Sequence, residues 1–149
     1  MQIINKKARL NYQILETMEA GVELTGSEVK SIRAGQVSLD GAHVVIGFTD
    51  GTFAAKLIGM HTAGYMPAGS QQIDPTRTRK LLLHKTEILR LYEKGRAKGL
   101  AVIPLRIYDT RGWIKMEIGL VKGKKKWEKR EVIKKRDVNR DVQREIRKV

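Results

Sequence analysis

Positive charge is crowded into one end of this chain, and that limits where a packed domain can form. Residues 122–149 contain 13 Lys and Arg against 5 Asp and Glu, so they carry +8 of the total +14. A stretch with that much like charge and so few apolar side chains buries too little surface to offset its conformational entropy. The boundary falls where Val121 gives way to Lys122-Gly123. Residues 1–121 are expected to form one folded domain and residues 122–149 a basic tail. A domain of that length has room for a single hydrophobic core.

The same charge points to a polyanionic partner. Anionic lipid is the weaker choice, because membrane attachment normally adds an apolar or lipidation signal and none is present. No apolar run nears the ~20 residues of a membrane span. The N-terminal Met1-Gln2-Ile3-Ile4-Asn5-Lys6-Lys7 lacks the apolar stretch of a signal peptide. With no cysteine, disulfides and thiolate metal sites are excluded. A cytoplasmic location follows as the expectation, with nucleic acid as the partner and no membrane association.

Up to residue 121 the pattern is mostly of short strands. Residues 10–18 and 22–24 read as strands around a turn at Glu19-Ala20-Gly21. Thr25-Gly26-Ser27-Glu28 fits a capping box opening a short helix, with Val29 and Ile32 on its apolar face and Gly35 ending it. Residues 42–48 and 52–58 are β-rich and flank Asp50-Gly51, a strong hairpin signal. A glycine-containing loop follows over residues 59–72. Asp74-Pro75 then looks like a helix opening, with helical periodicity through Leu82, Leu89 and Leu91 to Gly95, broken near His84. Residues 101–108 return to strand, and Pro104 argues for an edge or a bulge there. In the last strand Ile114, Met116, Ile118 and Leu120 face one way, and Trp113, Lys115 and Glu117 the other. Asp109 to Gly112 would join these two strands. About six strands with two helical regions suit a small closed barrel, since closure removes exposed edges. A split α+β sandwich fits the same periodicity.

In the tail, Val138, Val142, Ile146 and Val149 fall on one helical face, and Asp137–Arg140, Asp141–Arg144 and Glu145–Lys148 are favourable pairs. The stripe is thin, so the tail is expected to be disordered or fluctuating when free and helical once phosphates neutralise it. A plain solvated appendage fits the charge equally well. No catalytic constellation stands out. His43, His61 and His84 are far apart, Gly59, Gly64 and Gly69 match no phosphate-cradling loop, and the acids are too scattered to hold Mg²⁺. The expectation is a non-enzyme without metal or cofactor.

Four blocks in order add what composition cannot. They are Asn5-Lys6-Lys7-Ala8; Glu19-Ala20-Gly21 running into Gly26-Ser27-Glu28-Val29-Lys30-Ser31-Ile32-Arg33; Asp74-Pro75-Thr76-Arg77-Thr78-Arg79-Lys80-Leu81-Leu82-Leu83-His84-Lys85; and Gly119-Leu120-Val121-Lys122-Gly123-Lys124-Lys125-Lys126-Trp127-Glu128-Lys129-Arg130. Together they resemble the SsrA-binding protein (small protein B) family, the bacterial partner of transfer-messenger RNA, over essentially the whole chain. The resemblance implies an OB-like closed β-barrel of about six strands with two to three peripheral helices and a basic C-terminal tail. It also implies a cytoplasmic, probably monomeric adaptor for ribosome rescue by trans-translation. Such a protein binds the tRNA-like domain of transfer-messenger RNA, travels with elongation factor Tu on the charged RNA, and places its tail in the 16S rRNA decoding centre and the empty mRNA channel.

Carried over by position, Asn5, Glu19, Leu82 and Lys115 match residues the family uses on the tRNA-like domain. Asn5 can bond a base or ribose edge, and Lys115 can meet phosphate. Glu19 cannot meet phosphate; it can accept from a base amine or a 2′-hydroxyl, or orient a neighbouring lysine. Leu82 would otherwise be assigned to the core. Lys6, Lys7, Arg77, Arg79 and Lys80 are expected phosphate contacts on charge grounds. In the tail, Gly123, Lys124 and Lys125 match the junction, while Trp127, Glu128, Lys129 and Arg130 match the decoding-centre segment. Glu128 stands where the family usually has Asp, and Trp127 is placed to stack on an rRNA base. Two other readings remain: a generic ribosomal or single-strand-binding OB protein, and an RNA-modifying enzyme.

Overall fold

Asp50 and Gly51 both take positive φ, 52° and 81°, as do Arg111 and Gly112, at 52° and 83°. A two-residue hairpin loop needs that conformation to match the twist of its strands. Both turns belong to a computed structural model that describes residues 1–63, 74–123 and 140. Its elements in chain order are β1 (Gln2–Ile4), α1 (Lys6–Asn11), β2 (Tyr12–Val22), α2 (Gly26–Arg33), β3 (Val37–Ser38) and β4 (His43–Thr49). They continue with β5 (Thr52–Ile58), β6 (His61–Thr62), β7 (Arg79–Leu82), α3 (Lys85–Gly95), β8 (Leu100–Thr110) and β9 (Trp113–Gly123). The strands β8-β4-β5-β7-β2-β9 pair in that order, and β9 returns to β8. Six antiparallel strands therefore form a ring, with β1 added to β8 and β3 paired separately to β6. The mainly-β reading with three helices and about six strands holds.

The main core lies inside the ring. Leu57, Leu81, Ile107, Met116 and Ile118 point inward from five elements' worth of strand and turn, and Ile32 of α2 joins them. The alternation read in β9 is real: Met116, Ile118 and Leu120 are buried in this core, and Ile114 packs against it. β8 is less regular, because Val102, Ile103, Pro104 and Leu105 are all buried. Both of its faces are covered there. Ile103 and Leu105, with Val121, form a second cluster beneath Ala8 of α1.

Pro104 sits where β8 changes partners. Its register against β9 shifts between Pro104 and Arg106, a bulge that suits a residue with no N–H to donate. On the other edge β4 pairs at Val102, whereas β1 pairs from Arg106 to Tyr108. Asn5 stitches this switch. It is 5% exposed, its Nδ2 donates to Pro104 O at 2.9 Å and Leu39 O at 3.3 Å, and its Oδ1 accepts from Ala8 N at 3.2 Å as the cap of α1.

Several expectations need correction. Glu19-Ala20-Gly21 is no turn: β2 runs straight through it. The glycine there marks a close approach, since a Cβ on Gly21 would lie 3.2 Å from Leu82 Cβ. Residues 6–10 are helical, held by the Asn5 cap. Asp74-Pro75 opens no helix; Asp74 Oδ1 instead accepts from Thr76 N at 2.9 Å in an Asx turn. The helical periodicity assigned to Leu82 belongs to strand β7, and α3 begins only after His84, whose N–H donates to Glu87 Oε1 at 3.0 Å. In α3 the buried residues are Ile88 and Leu91, not Leu89, which is 42% exposed. The joining loop of β8 and β9 is just Arg111-Gly112. By contrast, the α2 capping box forms as expected: Thr25 N donates to Glu28 Oε1 and Glu28 N to Thr25 Oγ1. Gly35 follows at φ 79°. At the other end, β9 pairs as far as Gly123 opposite Tyr12, two residues past the composition boundary.

Candidate nucleic-acid interface

The closed ring lines up residues that are far apart in sequence. Gly21 of β2 lies opposite Leu82 of β7 on one side and Lys115 of β9 on the other, and Lys115 lies opposite Tyr108 of β8. Adjacent strands sit about 4.8 Å apart, so these four positions make one row across the outside of the ring. Gly21 leaves a notch in the row, walled by Leu82, which is 54% exposed, and by half-buried Lys115. Around the notch is an open groove of about 630 Å³, to which Glu19, Lys80, Phe53, His84 and Lys85 also contribute. The groove thus gathers Glu19, Lys80, Leu82 and Lys115 from the expected set. Lys80 and Lys85 stand exposed at its rim.

The next row is acidic at its centre. Glu19 lies opposite Glu117, and Glu117 opposite Arg106. Two carboxylates facing across strands repel, and each is answered differently. Arg106 grips Glu117 Oε2 with Nε and Nη2, both at 3.1 Å. Tyr108 donates its hydroxyl to Glu19 Oε2 in a short hydrogen bond. The Arg106 guanidinium also lies over the Tyr108 ring, 4.4 Å from its centroid, a cation–π contact. Desolvation and the hydrogen bond to the Glu19 carboxylate push the Tyr108 phenol up to about 12.

That shift carries a prediction. A group whose folded pKa is raised keeps its contribution below the unfolded pKa and loses it as pH climbs through the folded one. The Tyr108–Glu19 bond should therefore persist at all ordinary pH and fail only in strong alkali. In a phenolate absorbance titration of the four tyrosines, one should ionise last, near pH 12. Tyr108→Phe should delete that final step and leave the earlier ones in place.

The remaining expected residues are placed elsewhere or engaged inside the fold. Asn5 has both amide hydrogens and its oxygen committed to the backbone, so its side chain does not present a free edge to RNA. Arg79 is fully buried. Its Nε donates to Glu28 Oε2 at 2.6 Å, Nη1 to Met60 O and Arg77 O, and Nη2 to Thr62 Oγ1 and Pro75 O. All five guanidinium hydrogens are used, which removes Arg79 from the phosphate-contact set. Arg77 is 30% exposed and also bound to Glu28 Oε1, at 2.6 Å. Lys7 pairs with Asp40 at 3.3 Å beside a separate groove lined by Asn5, Tyr12 and His43. Lys6 is exposed on the same helix, and Gly123 is exposed at the end of β9. Lys124, Lys125, Trp127, Glu128, Lys129 and Arg130 lie outside the described residues, as does the glycine-containing loop over residues 64–73.

Sequence reading missed Gly21 as a notch, and missed Tyr108, Arg106 and Lys85 altogether. The signal for the first was two blocks that share one surface. For Tyr108 and Arg106 the bulge at Pro104 shifts the period-two pattern, so their outward position was hidden. No group of three or more His, Asp or Glu among the described residues is arranged to hold a metal, and no helix among them is long and apolar enough to cross a membrane.

The family described as "SmpB protein" matches residues 2–148. This chain belongs to the SmpB family. It is 49% identical over 144 residues to the "SsrA-binding protein" of Synechococcus sp. (strain JA-3-3Ab), covering 96% of this chain and 91% of that protein. It is 50% identical over 143 residues to the "SsrA-binding protein" of Persephonella marina (strain DSM 14350 / EX-H1), with the same coverage. A chain in a solved structure described as "tmRNA-SmpB: a journey to the center of the bacterial ribosome" superposes with a TM-score of 0.67 at 42% identity. The match covers 89% of this chain and 94% of that one. The six-stranded ring is therefore the SmpB arrangement, and the notched row sits on its outer face.

Proposed function

We propose that this SmpB-family chain binds the tRNA-like domain of transfer-messenger RNA through the groove around Gly21 and delivers it to ribosomes stalled in translation. The observation that carries this reading is the row Leu82–Gly21–Lys115. An apolar wall, a glycine floor and a cation offer stacking, access and phosphate attraction in one place. Family membership supports the choice of RNA, because the relatives are SsrA-binding proteins and the structural neighbour is a tmRNA–SmpB assembly. The tail from Lys124 to Arg130 then serves the ribosome, in the decoding centre and the empty mRNA channel. Elongation factor Tu on the charged RNA is the accompanying partner, the chain acts as a monomer in the cytoplasm, and no chemistry is required of it.

RNA captured on the tagged protein from a bacterial lysate and sequenced should be enriched in transfer-messenger RNA. Enrichment of bulk rRNA alone would defeat the proposal. The two walls of the notch should also separate in a binding assay. Lys115→Ala should weaken binding and lower the slope of log K against log salt by roughly 0.7–0.9, one phosphate contact. Leu82→Ala should cost about 1–3 kcal/mol, the range for a lost base stack, with the slope unchanged. Equal slope changes in both variants would show that the groove does not work this way.

A further inference from the structure

The groove has two carboxylates in its lining, and only one is explained by the fold. Glu87 caps α3 by accepting from His84 N. Glu19 is exposed, forms no ion pair among the described residues, and has one neighbour, the Tyr108 hydroxyl on Oε2. No donor among the described residues meets its Oε1. An unneutralised acid beside Lys80, Lys85 and Lys115 opposes phosphate binding, so a purely electrostatic RNA groove would be better without it.

A carboxylate is acceptor-only. In the notch it can be satisfied by a nucleotide only through N–H or O–H donors. Adenine and cytosine pair one amino donor with an adjacent ring acceptor on the Watson–Crick edge, and uracil sets its single N–H between two acceptors. Guanine alone offers two adjacent donors, N1–H and N2–H₂, which match the two oxygens of one carboxylate. We infer that Glu19 reads the Watson–Crick edge of an unpaired guanine seated in the Gly21 notch, and that Tyr108 is a positioning residue that holds the Glu19 carboxylate for it. This rests on the RNA-binding role proposed above and adds the identity of the base.

The geometry supports the division of labour. Gly21 is two residues along from Glu19 on the same face of β2, so a base lying on the glycine floor brings its edge within reach of Glu19. Exposed Leu82 supplies an apolar surface for the base, and Lys115 a cation for its phosphate. Tyr108 is itself fixed by the Arg106 guanidinium over its ring, and Arg106 by Glu117. A hydroxyl on Oε2 leaves that oxygen a second lone pair and leaves Oε1 open.

The test uses the full chain and a transcript of the tRNA-like domain of transfer-messenger RNA. Versions are made with single unpaired guanosines replaced by inosine, which lacks only the N2 amino group. For the unaltered protein one inosine version should bind roughly tenfold more weakly, the discrimination of a bidentate base contact. Glu19→Gln should bind the parent RNA more weakly, although it removes a negative charge, and should not distinguish the inosine version. Tyr108→Phe should shrink the guanosine-to-inosine ratio, which a merely structural role would not move. Lys115→Ala should weaken both RNAs alike and keep the ratio. The inference is overturned if every inosine version binds the unaltered protein like the parent, or if the penalty survives in Glu19→Gln. If the unaltered protein does not bind the parent transcript, the RNA-binding proposal itself fails first.

Discussion

Glu28→Gln should cost this protein about 3–5 kcal/mol of unfolding free energy, the penalty for stranding a buried charge. Few single substitutions do so much. The Glu28 side chain is 3% exposed and the Arg79 side chain fully buried, so neither can turn to water. The carboxylate receives Arg77 and Thr25 N on Oε1 and Arg79 on Oε2. Replacing it with a neutral amide keeps the shape but leaves a guanidinium inside the protein without a counter-charge. Through Arg79 the loss spreads to Met60, Thr62 and Pro75, so α2, β6, the 74–77 turn and β7 lose their common anchor. Urea denaturation of the full chain measures the effect, and a loss under 1 kcal/mol would show the cluster to be passive. Replacing both Glu28 and Arg79 with leucine should cost less than the two single changes combined, because no buried charge remains.

The same cluster sets an acid limit. Burial alone would raise the Glu28 pKa, but the hydrogen bonds from Arg77, Thr25 N–H and Arg79 outweigh it and leave it below the ordinary carboxylate value. A depressed folded pKa stabilises the native state above the unfolded pKa, and the contribution is lost as pH falls through the folded one. Acid unfolding should therefore be gentler in its pH dependence for Glu28→Gln than for the unaltered chain. Because β7 also carries Lys80 and Leu82, weakened anchoring should reach the groove as weaker RNA binding, even though the change removes a negative charge.

What the sequence shows of this fold depends on whether a residue's job is local. Asp50-Gly51, the Thr25–Glu28 box, Gly35 and the β9 alternation are settled within a few residues, and each was readable. The buried ion cluster was not, since Glu28 and Arg79 meet only after β7 docks beside α2, 51 residues away. From sequence, Arg79 is one cation among several in Arg77-Thr78-Arg79-Lys80, and nothing marks it as the buried one. Asn5 reads as a polar residue before two lysines; its task of covering the Pro104 carbonyl depends on a bulge 99 residues on. Gly21 reads as a turn because glycine usually signals one, whereas here it lets Leu82 approach. The candidate site was legible as a set of residues through the resemblance, but its shape was not. The ring separates that set into residues facing the groove and residues holding the groove in place.

Ending the chain at Gly123 should leave binding to the tRNA-like domain largely intact while abolishing peptide tagging on stalled ribosomes. The cut respects the fold: Gly123 pairs with Tyr12 as the last step of the β2–β9 ladder, and Lys122 pairs with Gln13 and Leu100. The composition boundary at residue 121 would break those pairs, so it is the worse place to cut. Residues 124–149 hold 12 Lys and Arg and 5 Asp and Glu, so their removal takes away +7 and halves the net charge. Non-specific RNA binding should fall with it, along with its salt dependence. The groove residues Leu82, Lys80 and Lys115 all remain, and at physiological ionic strength their contacts are screened from distant charge beyond about 8 Å. Specific binding should thus outlast non-specific binding, a contrast visible by titrating the transcript with and without competitor RNA. Tagging, followed in a translation extract programmed with an mRNA lacking a stop codon, should disappear, because the segment from Lys124 to Arg130 is gone. Loss of transcript binding on truncation would place the RNA site in the tail, and normal tagging would leave the tail without a role on the ribosome.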